Sequence, residues 1–392
     1  NCGISGDSAA GGFARLDWDV LVHKPTVATI MMGMNDVNRG LYGKDEPDEA
    51  NLKRRQEALD RHADSMRKMA AALVQAGVKP IFILPSIYDD TSTMDKPNLF
   101  GVNGALGICA EGAAKLAEEH QAGVVDFWGE MNRVTAVVQQ ADPTATIVGG
   151  DRVHPGPMGH FLMAYTFLAA QQLEGVVAAL TVDAAAGQAL AQENCTVSDV
   201  EKTATGVRFV YLAKALPFPI QRGTEKALEL VPFVAKMNQE TLRVQGLAEG
   251  DYALLIDGQE VGVYAGKDLA DGIDLAANPK TPQYQQAEEV AKVNGQRHGI
   301  ESGSIRNIVA TERTLRSQNL DLNDPAARQQ AVDTYLTKIA NSPYVGYYKG
   351  ACARYLKDKE KEAELRQQWR DACARIFELN QPKPHTCELV RR

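Results

Sequence analysis

The sequence predicts an α/β fold in which a parallel sheet is covered on both faces by helices, a three-layer α/β/α arrangement. Three observations predict it. Val27–Met32 and Lys79–Leu84 are continuous apolar runs of strand length, the pattern of strands buried on both faces. A long amphipathic segment separates them, and further strand and helix patterns alternate up to Leu173. The connections are short, as parallel strands joined by crossover helices require.

Taken in order, residues 1–12 are rich in glycine and serine and read as a loop, followed by a short helix over Phe13–Leu21 that stops at Lys24-Pro25. The strand Val27–Met32 ends in Gly33-Met34-Asn35-Asp36, at the C-terminal sheet edge where α/β proteins place ligands. Asp48–Ala76 reads as an amphipathic helix, with Leu52, Leu59, Met66 and Leu73 recurring every seven residues, closed by Gly77. The strand Lys79–Leu84 opens at Pro85-Ser86 into a polar loop over Asp89–Asn98. Gly104–His120 is helical, Gly123–Asp126 a short strand, and Phe127–Gln139 a helix. A loop then carries Asp151 and His154, and Pro157 suits the first turn of a helix to Leu173.

The pattern changes after about residue 181. Thr196–Val200, Gly206–Leu212, Thr241–Gln245, Asp251–Asp257 and Gln259–Tyr264 alternate apolar and polar residues, and Asp257-Gly258 is hairpin chemistry. Helices return at Pro282–His298, Ser302–Gln318, Pro325–Ala340 and Tyr348–Leu379. The expected organisation is therefore an α/β domain over 1–180, a small antiparallel β module over 181–266 and a helical extension over 267–392.

Of the 392 residues, 44% are hydrophobic and 23% charged, an ordinary globular balance, and the net charge of −8 argues against general affinity for nucleic acid or anionic membrane. No run is long enough to span a bilayer. The six cysteines and seven histidines show no metal-ligand spacing, and Cys109 reads as a buried thiol. No phosphate-binding glycine loop is present, so no cofactor or metal is expected.

Three stretches carry chemistry. Asp151-Arg152-Val153-His154 places a carboxylate three residues before an imidazole on a tight Pro-Gly turn, where the acid can hold the base in one tautomer; alone, the same pair is also an ordinary polar turn. Asn35 can aim a side-chain amide N–H at developing negative charge, or simply form a turn. Gly6 can offer a backbone N–H at close approach, or be a plain loop glycine.

Together these stretches resemble the SGNH (GDSL-type) hydrolase family, whose fold is flavodoxin-like. Asn1-x-Gly3-Ile4-Ser5-Gly6-Asp7-Ser8 is similar to its second sequence block, Gly33-x-Asn35-Asp36 to the third, and Asp151-x-x-His154-Pro155 with Pro157–His160 to the fifth. The resemblance implies a serine ester hydrolase in which His154 is the base, Asp151 orients it, and Gly6 and Asn35 form the oxyanion hole. The substrate expected is a small-molecule or carbohydrate ester, acetyl esters first, and the location periplasmic or extracellular. A lipase or thioesterase of the same fold, or a non-catalytic carbohydrate-binding or scaffolding relative, are the alternatives. The family's nucleophile sits in a Gly-Asp-Ser block ending the first strand. Gly6-Asp7-Ser8 spells it, but no apolar strand precedes Ser8, which lies only 27 positions before Asn35. Ser8 is therefore expected to be a loop residue, with the nucleophile upstream of a processed or truncated Asn1. The β module and helical tail resemble the C-terminal extension of some bacterial members.

Overall fold

A computed structural model of the chain describes residues 1–43, 46–173, 175–221 and 223–392. The chain divides into two compact units: Asn1–Leu173 with Gly223–Val231 and Glu312–Ser317, and Glu174–Arg222 with Pro232–Thr311 and Gln318–Arg392.

The first unit is the expected three-layer α/β/α core. Its parallel sheet runs β1 (Val27–Ile30), β2 (Lys79–Leu84), β3 (Gly123–Asp126), with Ile30 beside Phe82 and Leu84 beside Asp126. Phe82, fully buried in the middle strand, packs with Met66, Met69, Leu73, Ala110 and Ala113. Among the described residues β1 pairs only with β2. The strand expected over Val27–Met32 is thus shorter, and Val27 and Met31 are exposed rather than covered, because β1 stands at a sheet edge.

The first helix differs from expectation in place and continuity. It starts earlier, as α1 (Ala9–Ala14), with Ser8 at its N-cap, and resumes after a break as α2 (Leu16–Asp19). The break falls at Arg15, whose backbone leaves helical geometry while its guanidinium bridges Asp7 and Asp19. Helix α3 (Glu49–Gln75) is capped by Asp48, whose carboxylate accepts the Asn51 N–H at 2.6 Å. Its Met66 and Leu73 are buried but Leu52 is half exposed: a seven-residue repeat drifts by about 20° per repeat on a straight helix, which carries Leu52 off the core face. Helices α4 (Val102–Glu119), α5 (Phe127–Ala141), α6 (Pro157–Ala170) and α7 (Glu225–Leu230) complete the unit. Cys109 is buried on α4, and burial pushes its thiol up to about 12.

The second unit contains α8 (Phe233–Met237) and two sheets. One is ordered β10 (Gln259–Ala265), β9 (Asp251–Ile256), β12 (His385–Arg391), β7 (Gly206–Ala213), β6 (Cys195–Lys202). The other is ordered β11 (Ile273–Asp274), β8 (Gln239–Gln245), β4 (Val176–Asp183), β5 (Gln188–Glu193). Leu180, Val182 and Val244 of the second sheet share one apolar core with Phe209, Leu254 and Leu389 of the first. The β9–β10 turn is the expected Asp257-Gly258 hairpin, both residues with positive φ. The unit is richer in strand than its patterning predicts. β4 pairs in parallel with β8, and β12, at the end of the chain, inserts between β7 and β9. The helices are α9 (Gly266–Asp271), α10 (Pro282–Ile300), α11 (Arg306–Leu315, whose last residues belong to the first unit), α12 (Pro325–Lys338), α13 (Val345–Glu360) and α14 (Glu362–Leu379). The single helix expected over Tyr348–Leu379 is divided at Lys361.

Candidate active site

Residues 1–8 form the first wall of the site. The Asp7 N–H donates to the Ile4 carbonyl at 3.2 Å, closing a turn whose third residue, Gly6, has φ +74°. That position of such a turn requires positive φ, which explains a glycine there. Asp7 itself is buried. One carboxylate oxygen accepts from the Ser8 N–H at 3.0 Å and the Arg313 guanidinium at 2.7 Å, the other from Arg15 Nε at 2.8 Å. Ser8 Oγ accepts the Gly11 N–H at 3.3 Å and so is occupied in capping α1.

The second wall is the turn after β1. Asn35 Nδ2 donates to the Asp7 carbonyl at 2.9 Å, which orients the amide and leaves its second hydrogen available. Asp36 ties the two walls together: its carboxylate accepts the Ala9 N–H at 2.8 Å and the Gly33 N–H at 3.0 Å, with His62 Nδ1 3.5 Å away. A cleft of about 390 Å³ lies between these walls, lined by Ser5, Asp7, Gly33, Asn35 and Ser86 among others.

The third segment carries Asp151 and His154. Asp151 Oδ1 accepts the backbone N–H groups of Val153 and His154, each at 3.0 Å, and Oδ2 bonds His154 Nδ1. Partial burial works to raise the Asp151 carboxyl, but the His154 ring and the two N–H groups outweigh it and hold the group at about 2. Nδ1 is thereby engaged, and Nε2 is the nitrogen left for chemistry on a side chain that is 79% exposed. Val153 points the other way, into a cluster with Val37, Tyr42, Tyr88 and Val102. The turn leads into α6, where Pro157 occupies the first turn as expected and Gly159 is pressed against the Ile147 carbonyl and Pro155. His160 is exposed on the same helix.

The structure therefore brings Asp151 to His154, and Asn35 to the Gly6–Asp7 turn. Among the described residues no hydrogen bond joins His154 to Ser5, Ser8, Gly6 or Asn35. Three residues to which the sequence alone assigns no role organise the site: Asp7, Asp36 and Arg152. Arg152 is 2% exposed and sits at φ +65° inside the Asp-x-x-His turn. Its partners lie 55 to 63 residues earlier in the chain, so no local pattern announces it.

Residues 1–167 match the GDSL-like lipase/acylhydrolase family. Over its whole length the chain is similar to a solved structure described as BT4096, a gut microbial diltiazem-metabolizing enzyme. The two are 30% identical with a TM-score of 0.89, covering 100% of this chain and 89% of the other. The chain belongs to the GDSL-like lipase/acylhydrolase family. An acetylxylan esterase from Geobacillus stearothermophilus is 27% identical over 168 residues, 43% of this chain and 69% of that protein. The crystal structure of Axe2, an acetylxylan esterase from the same organism, is 25% identical over 44% of this chain and 71% of its own, with a TM-score of 0.33. No helix among the described residues is long and apolar enough to cross a membrane.

Proposed function

We propose that this acylhydrolase is a serine esterase that removes short acyl groups, acetyl foremost, from a carbohydrate or similar ester. The observation that carries the reading is the Asp151–His154 pair, with Nδ1 held by the carboxylate and Nε2 open to solvent. In the proposed reaction a serine hydroxyl attacks the ester carbonyl carbon as His154 Nε2 takes its proton. The carbonyl electron pair moves to oxygen, where the Gly6 N–H, the second Asn35 Nδ2–H and the serine N–H receive it. Collapse expels the alcohol, which recovers the proton from His154. Water, deprotonated by His154 in turn, then cleaves the acyl-serine to acid and free serine. Asp151, ionised well below neutrality, stabilises the imidazolium throughout.

The nucleophile this reaction needs is a serine whose hydroxyl reaches His154 Nε2 at the cleft lined by Asn35. Ser8 is unsuited because its hydroxyl caps α1. The similarity to an acetylxylan esterase supports the acetyl preference. A second reading, a binding protein without catalysis, is favoured by one observation: no serine hydroxyl among the described residues bonds His154. Acetate release from p-nitrophenyl acetate and acetylated xylo-oligosaccharides, abolished by His154→Ala, is the expected result. Turnover of long-chain esters with none of acetyl esters would overturn the substrate assignment, and hydrolysis that survives His154→Ala would overturn the mechanism.

A further inference from the structure

We propose that Arg152 is a positioning residue that fastens the segment 89–98 to the turn carrying Asp151 and His154, and so fixes the geometry of the acid–base pair. The inference rests on reading that pair as the site's acid and base.

A guanidinium has five N–H donors in a rigid planar fork. In Arg152 each meets a different backbone carbonyl of one segment. Nε donates to Pro97 at 3.1 Å, Nη1 to Asp89 at 2.8 Å and Ser92 at 3.0 Å, and Nη2 to Met94 at 3.2 Å and Lys96 at 3.1 Å. The segment 89–98 has no regular secondary structure to pair these carbonyls. Its donors are served by a complementary hub: the Asp89 carboxylate accepts the N–H groups of Thr91 at 3.2 Å and Ser92 at 3.0 Å. The main chain adds a further tie, the Asp89 N–H donating to the Arg152 carbonyl at 3.0 Å.

The same residue shapes the turn. Its N–H donates to the Gly149 carbonyl at 2.9 Å, and its left-handed backbone reverses the chain between Asp151 and Val153. That conformation strains a non-glycine residue, and a glycine would adopt it freely. An arginine in a place that suits glycine is explained by its side chain. Lysine, with three donors on a flexible stem, cannot satisfy five carbonyls arranged around a plane. Asp151 and His154 flank this anchor, so a shift of the turn moves both.

The test separates the backbone from the fork. Arg152→Gly keeps the turn and removes the guanidinium; Arg152→Lys keeps the charge and removes the fork. In the full-length protein, with folding checked by circular dichroism, each variant should lower kcat on p-nitrophenyl acetate by about 10- to 100-fold with little change in KM, since a displaced catalytic group costs rate rather than binding of a small ester. Guanidinium chloride at millimolar concentration should restore rate to Arg152→Gly but not to Arg152→Lys, and sodium chloride should restore neither. The His154 Nδ1–H resonance, followed by proton NMR, should weaken in both variants and return with guanidinium in the glycine variant alone. Should the glycine variant not fold, the lysine variant decides by the same resonance and rate. Wild-type kcat and an unchanged resonance in either folded variant overturn the proposal. A resonance lost and rescued in a protein that hydrolyses no ester upholds the positioning role and sinks the esterase reading.

Discussion

The sharpest test of the energetics lies in the second unit, at Glu240. This carboxyl on β8 is fully buried, and burial raises it from 4.5 to about 7, against the opposing hydrogen bonds from Tyr211 and Gln283 and with help from the nearby Asp274 charge. Oε1 accepts from the Tyr211 hydroxyl and from Gln283 Nε2, each at 2.8 Å. Oε2 and the Gln283 carbonyl oxygen are both buried without a hydrogen-bond partner among the described residues. A charged carboxylate would leave Oε2 buried without a donor, so burial favours the neutral acid. The Tyr211 hydroxyl and the Cys195 and Cys387 thiols, which also face this site, stay neutral where Glu240 titrates, because burial pushes all three up. Because the folded carboxyl binds its proton more tightly than the unfolded one, its contribution is fully present below about pH 4.5 and lost as pH rises to about 7. Each tenfold gain in proton affinity on folding is worth roughly 1.4 kcal/mol, so the loss is about 3 kcal/mol. Glu240→Gln keeps the shape, offers a permanent N–H donor and cannot ionise. Hydrogen-exchange protection of β7 and β8, corrected for intrinsic rates, should fall in wild type between about pH 5 and pH 8 and stay level in the variant. At pH 8 the variant should be the more stable protein. Parallel pH profiles for the two proteins would refute the reasoning.

Five further outcomes are expected in the first unit. Asn35→Ala should lower kcat by about 10²–10³-fold, whereas Gly6→Ala keeps its N–H, meets no atom within 4 Å and should cost only about 1–2 kcal/mol of stability through its positive φ. Ser8→Ala should remove the α1 cap, lowering stability in denaturant melts by about 1 kcal/mol while leaving esterase rates intact; loss of hydrolysis would make Ser8 the nucleophile. Gly159→Ala should destabilise the unit by about 1–3 kcal/mol, measured by melting temperature, because its Cβ would collide with the Ile147 carbonyl and lie 2.9 Å from the Pro155 Cβ. Asp151 should stay ionised down to about pH 2, so an acid limb in the kcat profile belongs to another group and should keep its position under changes that spare His154.

What the sequence made legible follows the range of the interactions. The strands Lys79–Leu84 and Gly123–Asp126, Gly77 after α3, Pro157 at the start of α6 and the Asp257-Gly258 turn are local, and residue spacing alone specifies them. The pairing of Asp151 with His154 spans three residues and is equally open to reading. Leu52 misleads because a heptad repeat is carried across a helix of ordinary twist. β12 escapes a sequence reading because its alternation of His385, Cys387 and Leu389 gains meaning only from neighbours on β7 and β9, far back in the chain. Arg152, Asp7 and Asp36 share that difficulty. Charged residues in loops look like solvated ones until the distant partners are known.

Those three residues also divide the work of the site in a way that substitutions can expose. The segments that carry Gly6, Asn35 and His154 are turns, and turns leave backbone N–H and C=O groups without partners from regular structure. Asp7 and Asp36 accept from such N–H groups, and Arg152, inside the His154 turn, donates to five carbonyls of the irregular segment 89–98. Removing one of these hubs strands several buried polar groups at once, each worth about 1–3 kcal/mol. Asn35 and His154 satisfy few backbone groups, and His154 is largely exposed. Loss of a hub should therefore cost stability first and rate through it, while loss of Asn35 or His154 should cost rate at nearly wild-type stability. Asp36→Asn against His154→Ala, each read by both melting temperature and kcat, puts that division to the test: an Asp36→Asn protein as stable as wild type would refute it.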